Sequence, residues 1–247
     1  MAIKHQKISM GRHTLVNTHF LSNANGSFFD EQYWRKKQAV VGQATGRGTT
    51  LFVQHAPDTC WVLRHYRRGG VIAKLIDDQF LYTGLAKTRP FQEMRLLNTM
   101  QAAGLKVPSP VAAQVTRRGM IYRADLITLK IDNAQDLHHV LTQQPATDLL
   151  WYDVGQAIRK MHNLGVYHHD LNIRNIMVDD NQTVWIIDFD RCYQRSGESW
   201  KAKNLDRLYR SLQKERARCP SFFWQQEDFE ALLQGYQQQP KTASAVR

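Results

Sequence analysis

Cysteine is scarce and scattered in this chain. Cys60, Cys192 and Cys219 form no C-x-x-C pair, which argues against a disulfide framework or a zinc ribbon. Long apolar runs are also missing: none approaches the roughly 18 residues that a membrane-spanning helix needs. The opening "MAIKHQKISMGRH" lacks the apolar core of a secretory signal. There are no internal repeats, and the only compositionally biased tract is the polar end "QQQPKTASAVR". Together these absences lead us to expect a reduced, cytoplasmic globular protein. Negative charge is in short supply as well. Lys and Arg number 33 against 22 Asp and Glu, a net charge of +11 over 247 residues, which favours anionic partners. Zinc-finger spacing and an RNP aromatic motif are both absent and the basic residues are dispersed, so nucleic acid is not the expected partner.

The length suits one domain or two modest lobes. "FFDEQYWRKK" can form a short amphipathic helix. "AVVGQATGRGTTLFVQ" reads as strand, glycine loop, strand, and "TCWVLRHYR" as a further strand. In "TRPFQEMRLLNTMQAAG", Phe91, Met94, Leu97 and Met100 recur at three-residue steps before Gly104, the pattern of a helix and its stop. "PSPVAAQVTRRGMIYRADLITLKI" reads as a hairpin around Arg118-Gly119, followed by a connector near Leu126 to Asp132. Helices then take over. Asn133 followed by Asp136 resembles a capping box, and "DLLWYDVGQAIRKMHNLG" puts Leu150, Val154, Ile158 and Met161 on one face. "NIMVDDNQTVWIIDF" is a second hairpin, and "NLDRLYRSLQKE" and "QQEDFEALLQGY" are closing helices. The expected class is α+β: residues 1–128 form an antiparallel sheet with one helix, and residues 129–247 form a mostly helical half around a short hairpin.

That second hairpin carries the chemistry. "HHDLNIRNIMVDDNQTVWIIDFD" places Asp170, Asn175, Asp188 and Asp190 around two short apolar strands, and carboxylates at the ends of buried strands call for a cation. A hairpin brings Asn175 and Asp188 to one end, where both can offer oxygen to a hard ion such as Mg²⁺, which takes few protein ligands and completes its shell with phosphate and water. Asp170 then stays available to accept a proton from an acceptor hydroxyl. These are the parts of the H-R-D-x-x-x-x-N and D-F-G elements of the protein-kinase fold, here His168-His169-Asp170, Asn175 and Asp188-Phe189-Asp190. His168 receives a scaffolding role only.

The β half offers a phosphate clamp for ATP. "WVLR" resembles the V-A-I-K strand. Val62 and Arg64 fall on one face, Val62 to lie on adenine and Arg64 to meet the α and β phosphates, with Glu93 of the following helix orienting Arg64 and Lys74 as the fallback cation. Gly42, Gly46 and Gly48 make a glycine loop that departs from the protein-kinase order. The stretch after Asp190 is short for a peptide-binding subdomain, no A-P-E occurs, and His169 replaces the arginine that commonly receives an activation-loop phosphate. A small-molecule acceptor is therefore expected.

"RPFQEMRLL", "GLKVPSPVAA", "YRADLIT", "VYHHDLNIRNIMV" and "IIDFDRC" together resemble the lipopolysaccharide core kinases, and among them the kinases of 3-deoxy-D-manno-oct-2-ulosonic acid (Kdo), over roughly residues 35–215. The resemblance implies a bilobal protein-kinase-like fold and ATP- and Mg²⁺-dependent phosphorylation of the Kdo 4-hydroxyl on Kdo-lipid IVA. It also implies a peripheral enzyme on the cytoplasmic face of a bacterial inner membrane. The basic stretch Lys201 to Arg218 would attract that anionic acceptor or bilayer without reaching the chemistry, and no obligate protein partner is inferred. Heptose kinases and aminoglycoside-type phosphotransferases share the motifs, and a non-catalytic pseudokinase is the reading from another class.

Overall fold

The computed structural model describes residues 3–45, 49–68 and 77–238. The chain divides into two compact units, Met1–Ala103 with Pro108–Ile131, and Gly104–Val107 with Asp132–Arg247.

The first unit is built on an antiparallel sheet. Its strands are β1 (Ile3–Ser9), β2 (Arg12–Asn17), β3 (Val40–Thr45), β4 (Thr49–Ala56), β5 (Thr59–His65), β6 (Phe80–Leu81), β7 (Pro110–Arg118) and β8 (Ile121–Leu129). The order is β1-β2-β7-β8-β5-β4-β3, with β6 also paired to β8. Strand β5 shows why the sequence alternates. Trp61 and Leu63 are buried, whereas Val62 and Arg64 on the opposite face are half-buried. One face of the sheet packs Val53, Trp61, Val111 and Ile127 against Phe29 and Trp34, the latter from helix α1 (Glu31–Lys36). Helix α2 (Arg89–Ala102) starts with a proline in its first turn, buries Phe91, Met94, Leu97 and Met100, and packs on β7 and β8.

The β1–β2 hairpin has no counterpart in the sequence reading. In "IKHQKIS" every residue is exposed or half-exposed, so the strand lacks the alternation that would betray it. It is an edge strand held by its ladder to β2, and lysines on such an edge discourage further pairing. Strand β8 also runs on through Leu129, paired to Trp61, where a connector was expected from Leu126.

The second unit contains β9 (Gln135–Asp136), α3 (Leu137–Gln143), α4 (Asp148–Asn163), β10 (Val166–Tyr167), β11 (Ile176–Val178), β12 (Val184–Ile186), β13 (Tyr193–Gln194), α5 (Ser199–Arg218) and α6 (Gln226–Gln237). The expected cap of α3 at Asn133 is corrected. Asn133 sits at φ 49°, and Asp136 is the cap, its carboxylate accepting from the His139 N–H at 3.0 Å. The hairpin of β11 and β12 pairs Ile176 with Ile186 and Val178 with Val184. Its turn is closed by Asp179, which accepts from the Asn181 and Thr183 N–H groups, both at 2.9 Å.

Helices α4 and α6 cross on two glycines. A Cβ at Gly155 would overlap the Leu232 carbonyl, and one at Gly235 would overlap the Tyr152 carbonyl. Both obstacles are backbone, so neither can swing aside. Gly155→Ala should therefore cost stability despite the better helix propensity of alanine. The expected loss is about 1–3 kcal/mol from overpacking, read as a lower Tm. An unchanged or raised Tm would mean that the crossing is looser than described.

Candidate active site

The candidate residues divide between the two units. In the first, Arg64 from β5 donates to Glu93 Oε1 at 2.5 Å. Glu93, in α2, is 3% exposed, and its other oxygen accepts from Tyr66 Oη at 2.5 Å. Arg64 also donates to Tyr66 Oη at 3.1 Å, and its guanidinium lies 4.8 Å from the Tyr66 ring centroid. A buried carboxylate needs such partners, and they fix the direction of the arginine fork. Val62 shares the Arg64 face, paired with Phe52 and Thr128. Gly42 lies inside β3 opposite Phe52. A Cβ there would come 3.0 Å from the Phe52 ring, so packing favours glycine at this position. Gly46, Gly48 and Lys74 lie outside the described residues.

In the second unit, the loop from His168 to Asn175 is held largely by side chains bonded to main-chain groups. His168 is fully buried. Its Nε2 donates to the Ile187 carbonyl at 3.0 Å, and its Nδ1 accepts from the Asp170 N–H at 3.3 Å. Both bonds suit a neutral ring, and burial holds the His168 pKa below the ordinary histidine value. The side-chain amide of Asn175 donates to the Asp170 carbonyl at 2.8 Å, which leaves its oxygen for other partners. The Asn175 carbonyl accepts from the Ile187 N–H at 3.0 Å. Asn175 and the stretch just before Asp188 are thus tied together at one end of the hairpin. Asp188 itself adopts φ 61°, a left-handed conformation that aspartate tolerates better than most residues and that is often found at functional sites. Phe189 is fully buried and packs edge-on against His168, with centroids 5.0 Å apart. Two hard oxygen donors, one amide and one carboxylate, fit a Mg²⁺ that takes most of its shell from phosphate and water.

The structure also shows residues that the sequence did not point to. Asn204 of α5 is 1% exposed. Its amide donates to the His168 carbonyl at 2.8 Å, and its oxygen accepts from the His168 N–H at 3.3 Å and from His162 Nε2 at 3.0 Å. His162 Nδ1 in turn accepts from Tyr236 Oη at 2.8 Å. The one available signal was an asparagine within the apolar stripe Trp200, Leu208, Leu212, where a polar residue needs a partner.

Arg207 gives a correction. It was expected to act only at a distance, as part of the basic segment. Instead it donates to Asp170 Oδ1 in an ion pair. Lys201 pairs with Glu198 at 2.7 Å, and Arg216 donates to the Trp224 carbonyl. The segment is not a uniformly solvated face, and charge reversal at Arg207 would disturb the candidate base itself.

The family model of the lipopolysaccharide kinase (Kdo/WaaP) family matches residues 31–236. The chain belongs to this family. It is a kinase, and its α+β architecture is the protein-kinase-like fold of that family. Among curated relatives, a 3-deoxy-D-manno-octulosonic acid kinase of Vibrio vulnificus (strain YJ016) is 46% identical over 237 residues, covering 96% of this chain and 99% of that one. Similarly named proteins of Vibrio cholerae and Haemophilus influenzae are 51% and 44% identical, covering 74% and 81% of this kinase and 78% and 86% of their own lengths.

Two predictions arise from this geometry. Arg64→Ala should lower kcat/KM for ATP by about 10²-fold or more, as removal of a charge-stabilising donor typically does. Arg64→Lys should keep substantial activity because charge is the first requirement and the fork the second, and Glu93→Gln should fall between them. If Arg64→Ala equals the wild type, the clamp is elsewhere. The second concerns His162, whose pKa burial lowers to about 4 from 6.5. The unfolded chain takes up this proton at higher pH than the folded one. Stability is therefore full above pH 6.5 and lost progressively as pH falls toward about 4, by about 3 kcal/mol in all. Denaturant titrations across this window should show that slope, and His162→Gln should flatten it. An equal slope in the variant would assign the acid sensitivity to other groups.

Proposed function

We propose that this kinase transfers the γ-phosphoryl group of ATP to the 4-hydroxyl of Kdo on Kdo-lipid IVA, a step of lipopolysaccharide core biosynthesis. The observation that carries this reading is the near end-to-end alignment with a relative named for Kdo. In this reading, residues 1–128 serve as the nucleotide clamp, with Gly42, Gly46 and Gly48 over the phosphates, Val62 on adenine, and Arg64, oriented by Glu93, on the α and β phosphates. Residues 129–247 carry the catalytic loop, the metal ligands and the acceptor site. Asp170 accepts the proton of the attacking hydroxyl, while Arg207 beside it balances charge and meets the anionic acceptor. Asn175 and Asp188 are the residues that would hold Mg²⁺, which when bound neutralises charge on the donor phosphates. Phosphoryl transfer passes through a loose transition state, so holding the two reactants in line is most of the work. No described helix is long and apolar enough to cross a membrane. A net charge of +11 supports peripheral attachment to the anionic cytoplasmic face of the inner membrane.

The test is mass spectrometry of purified Kdo-lipid IVA after incubation with the enzyme and Mg-ATP. A gain of one phosphoryl group on the Kdo residue is expected. An unmodified acceptor, with phosphate appearing instead on a heptose-containing core, would replace this reading with that of a heptose kinase.

A further inference from the structure

The exposed apolar side chains of this protein are gathered, not scattered. Of nine large hydrophobic residues exposed among the described ones, five belong to one end of the first unit's sheet: Ile8, Met10, Leu81, Met120 and Ile121. Met10, Met120 and Leu81 are 98%, 67% and 61% exposed. Their neighbourhood follows from the main chain. The Gly11 carbonyl, next to Met10, accepts from the Arg117 N–H at 2.7 Å. Arg118 stands opposite Ile121 across the β7–β8 turn, Ile121 pairs with Leu81, and the Met120 carbonyl accepts from the Tyr82 N–H at 2.9 Å.

The platform under these side chains is firm. Gly11 has φ 77°, and a Cβ there would sit 2.5 Å from the Arg117 carbonyl, so the β1–β2 turn is pressed onto β7 where only glycine fits. Arg117 Nε donates to the Gly119 carbonyl at 2.8 Å, and its guanidinium lies 4.2 Å from the Tyr82 ring centroid.

The segments that carry these apolar side chains are rich in cations. Residues 3–18, 79–92 and 108–124 contain Lys7, Arg12, Lys87, Arg117, Arg118 and Arg123 among other cations, and not one Asp or Glu. Asp78, just before the middle segment, is engaged by Arg123 at 2.7 Å. A surface of separate apolar tips interleaved with arginine and lysine is poorly made for a second copy of the chain, because protein interfaces exclude charge from their cores and a two-fold contact would set cation against cation. It is well made for a phospholipid layer. Met, Leu and Ile enter the headgroup boundary while the cations stay at phosphate level.

We propose that this end of the sheet, formed by the β1–β2 turn, the β7–β8 turn and β6, docks the protein on an anionic phospholipid bilayer. The proposal deepens the membrane reading given above and rests on it. It replaces α5 with the first unit's sheet as the attachment surface.

The test is co-sedimentation of the full-length protein with phosphatidylcholine vesicles, with and without phosphatidylglycerol. Three proteins are compared: wild type, the triple variant Met10→Ser/Leu81→Ser/Met120→Ser, and the charge-reversed Lys7→Glu/Arg118→Glu. Wild type should bind the anionic vesicles, bind neutral ones far less, and weaken with added salt. Each variant should lose about tenfold or more in partitioning, the triple variant because its apolar side chains no longer enter the headgroup boundary and the charge-reversed one because two cations become anions, and the latter should lose most of its salt response. Activity on detergent-dispersed acceptor separates the two readings. Preserved activity with lost vesicle binding confirms the docking surface, whereas an inactive wild type that still binds through these residues would overturn the Kdo-lipid IVA acceptor reading alone. Wild-type binding in both variants, or no binding by wild type, overturns the proposal. So does a wild-type dimer in gel filtration that the triple variant converts to monomer. The charge-reversed variant alters only exposed side chains, so it keeps the test decisive if the triple variant misfolds.

Discussion

Asp170→Ala is expected to lower kcat by about 10²- to 10⁴-fold, the usual contribution of a general base, while ATP affinity stays near wild type. The variant should fold, because the main chain of the loop keeps its other ties. The Asp170 N–H is held by His168 Nδ1 at 3.3 Å, and its carbonyl accepts from Asn172 and Asn175 at 2.9 and 2.8 Å. What disappears is the proposed proton acceptor and the partner of Arg207. Part of the loss would come from poorer positioning of the acceptor, which raises its KM. A single-turnover assay with separate nucleotide-binding measurements would resolve the two. Retention of more than half the wild-type kcat would remove Asp170 from the mechanism.

Asp188→Asn should abolish most activity at ordinary Mg²⁺ and partly recover at high Mg²⁺. The side chain keeps its shape, and asparagine tolerates the φ of 61° seen here as well as aspartate does, so the fold has no reason to suffer. The proposed metal site, however, exchanges a full charge for a dipole. Asn175→Ala should shift the Mg²⁺ dependence less, since an amide is lost rather than a carboxylate. It also removes the bond to the Asp170 carbonyl, so its kcat should fall even at saturating metal. Titrating Mg²⁺ at fixed ATP gives both results. An unchanged metal dependence in Asp188→Asn would sink the assignment.

The hairpin of β11 and β12 was legible because it is local. Asp170, Asn175 and Asp188 lie within one short stretch, and strand pairing forces Asn175 and the end of β12 together. The Arg64–Glu93 contact was legible for another reason: a cation on an alternating strand and an acid buried on the next helix have few other partners. The residues that were not legible act across distance. Asn204 reaches His168 from the middle of a helix whose spacing advertises only an amphipathic face. Arg207 reads as one cation among many until the fold brings it to Asp170. The β1–β2 hairpin escaped for the opposite reason, since an edge strand solvated on both sides leaves no period in its sequence.

One face of α5 meets the loop from His168 to Asn175 at four successive levels. Asn204 binds the His168 backbone, Arg207 pairs with Asp170, Ser211 Oγ accepts from the Ile173 N–H at 3.1 Å, and Glu215 accepts from Arg174 at 3.3 Å. Loop and helix should therefore open as a single cooperative unit. In native-state hydrogen exchange, the amides of His168 and Ile173 would share the protection and denaturant dependence of the middle of α5. A loop that usually exchanges early would then report the unfolding of a helix of 20 residues.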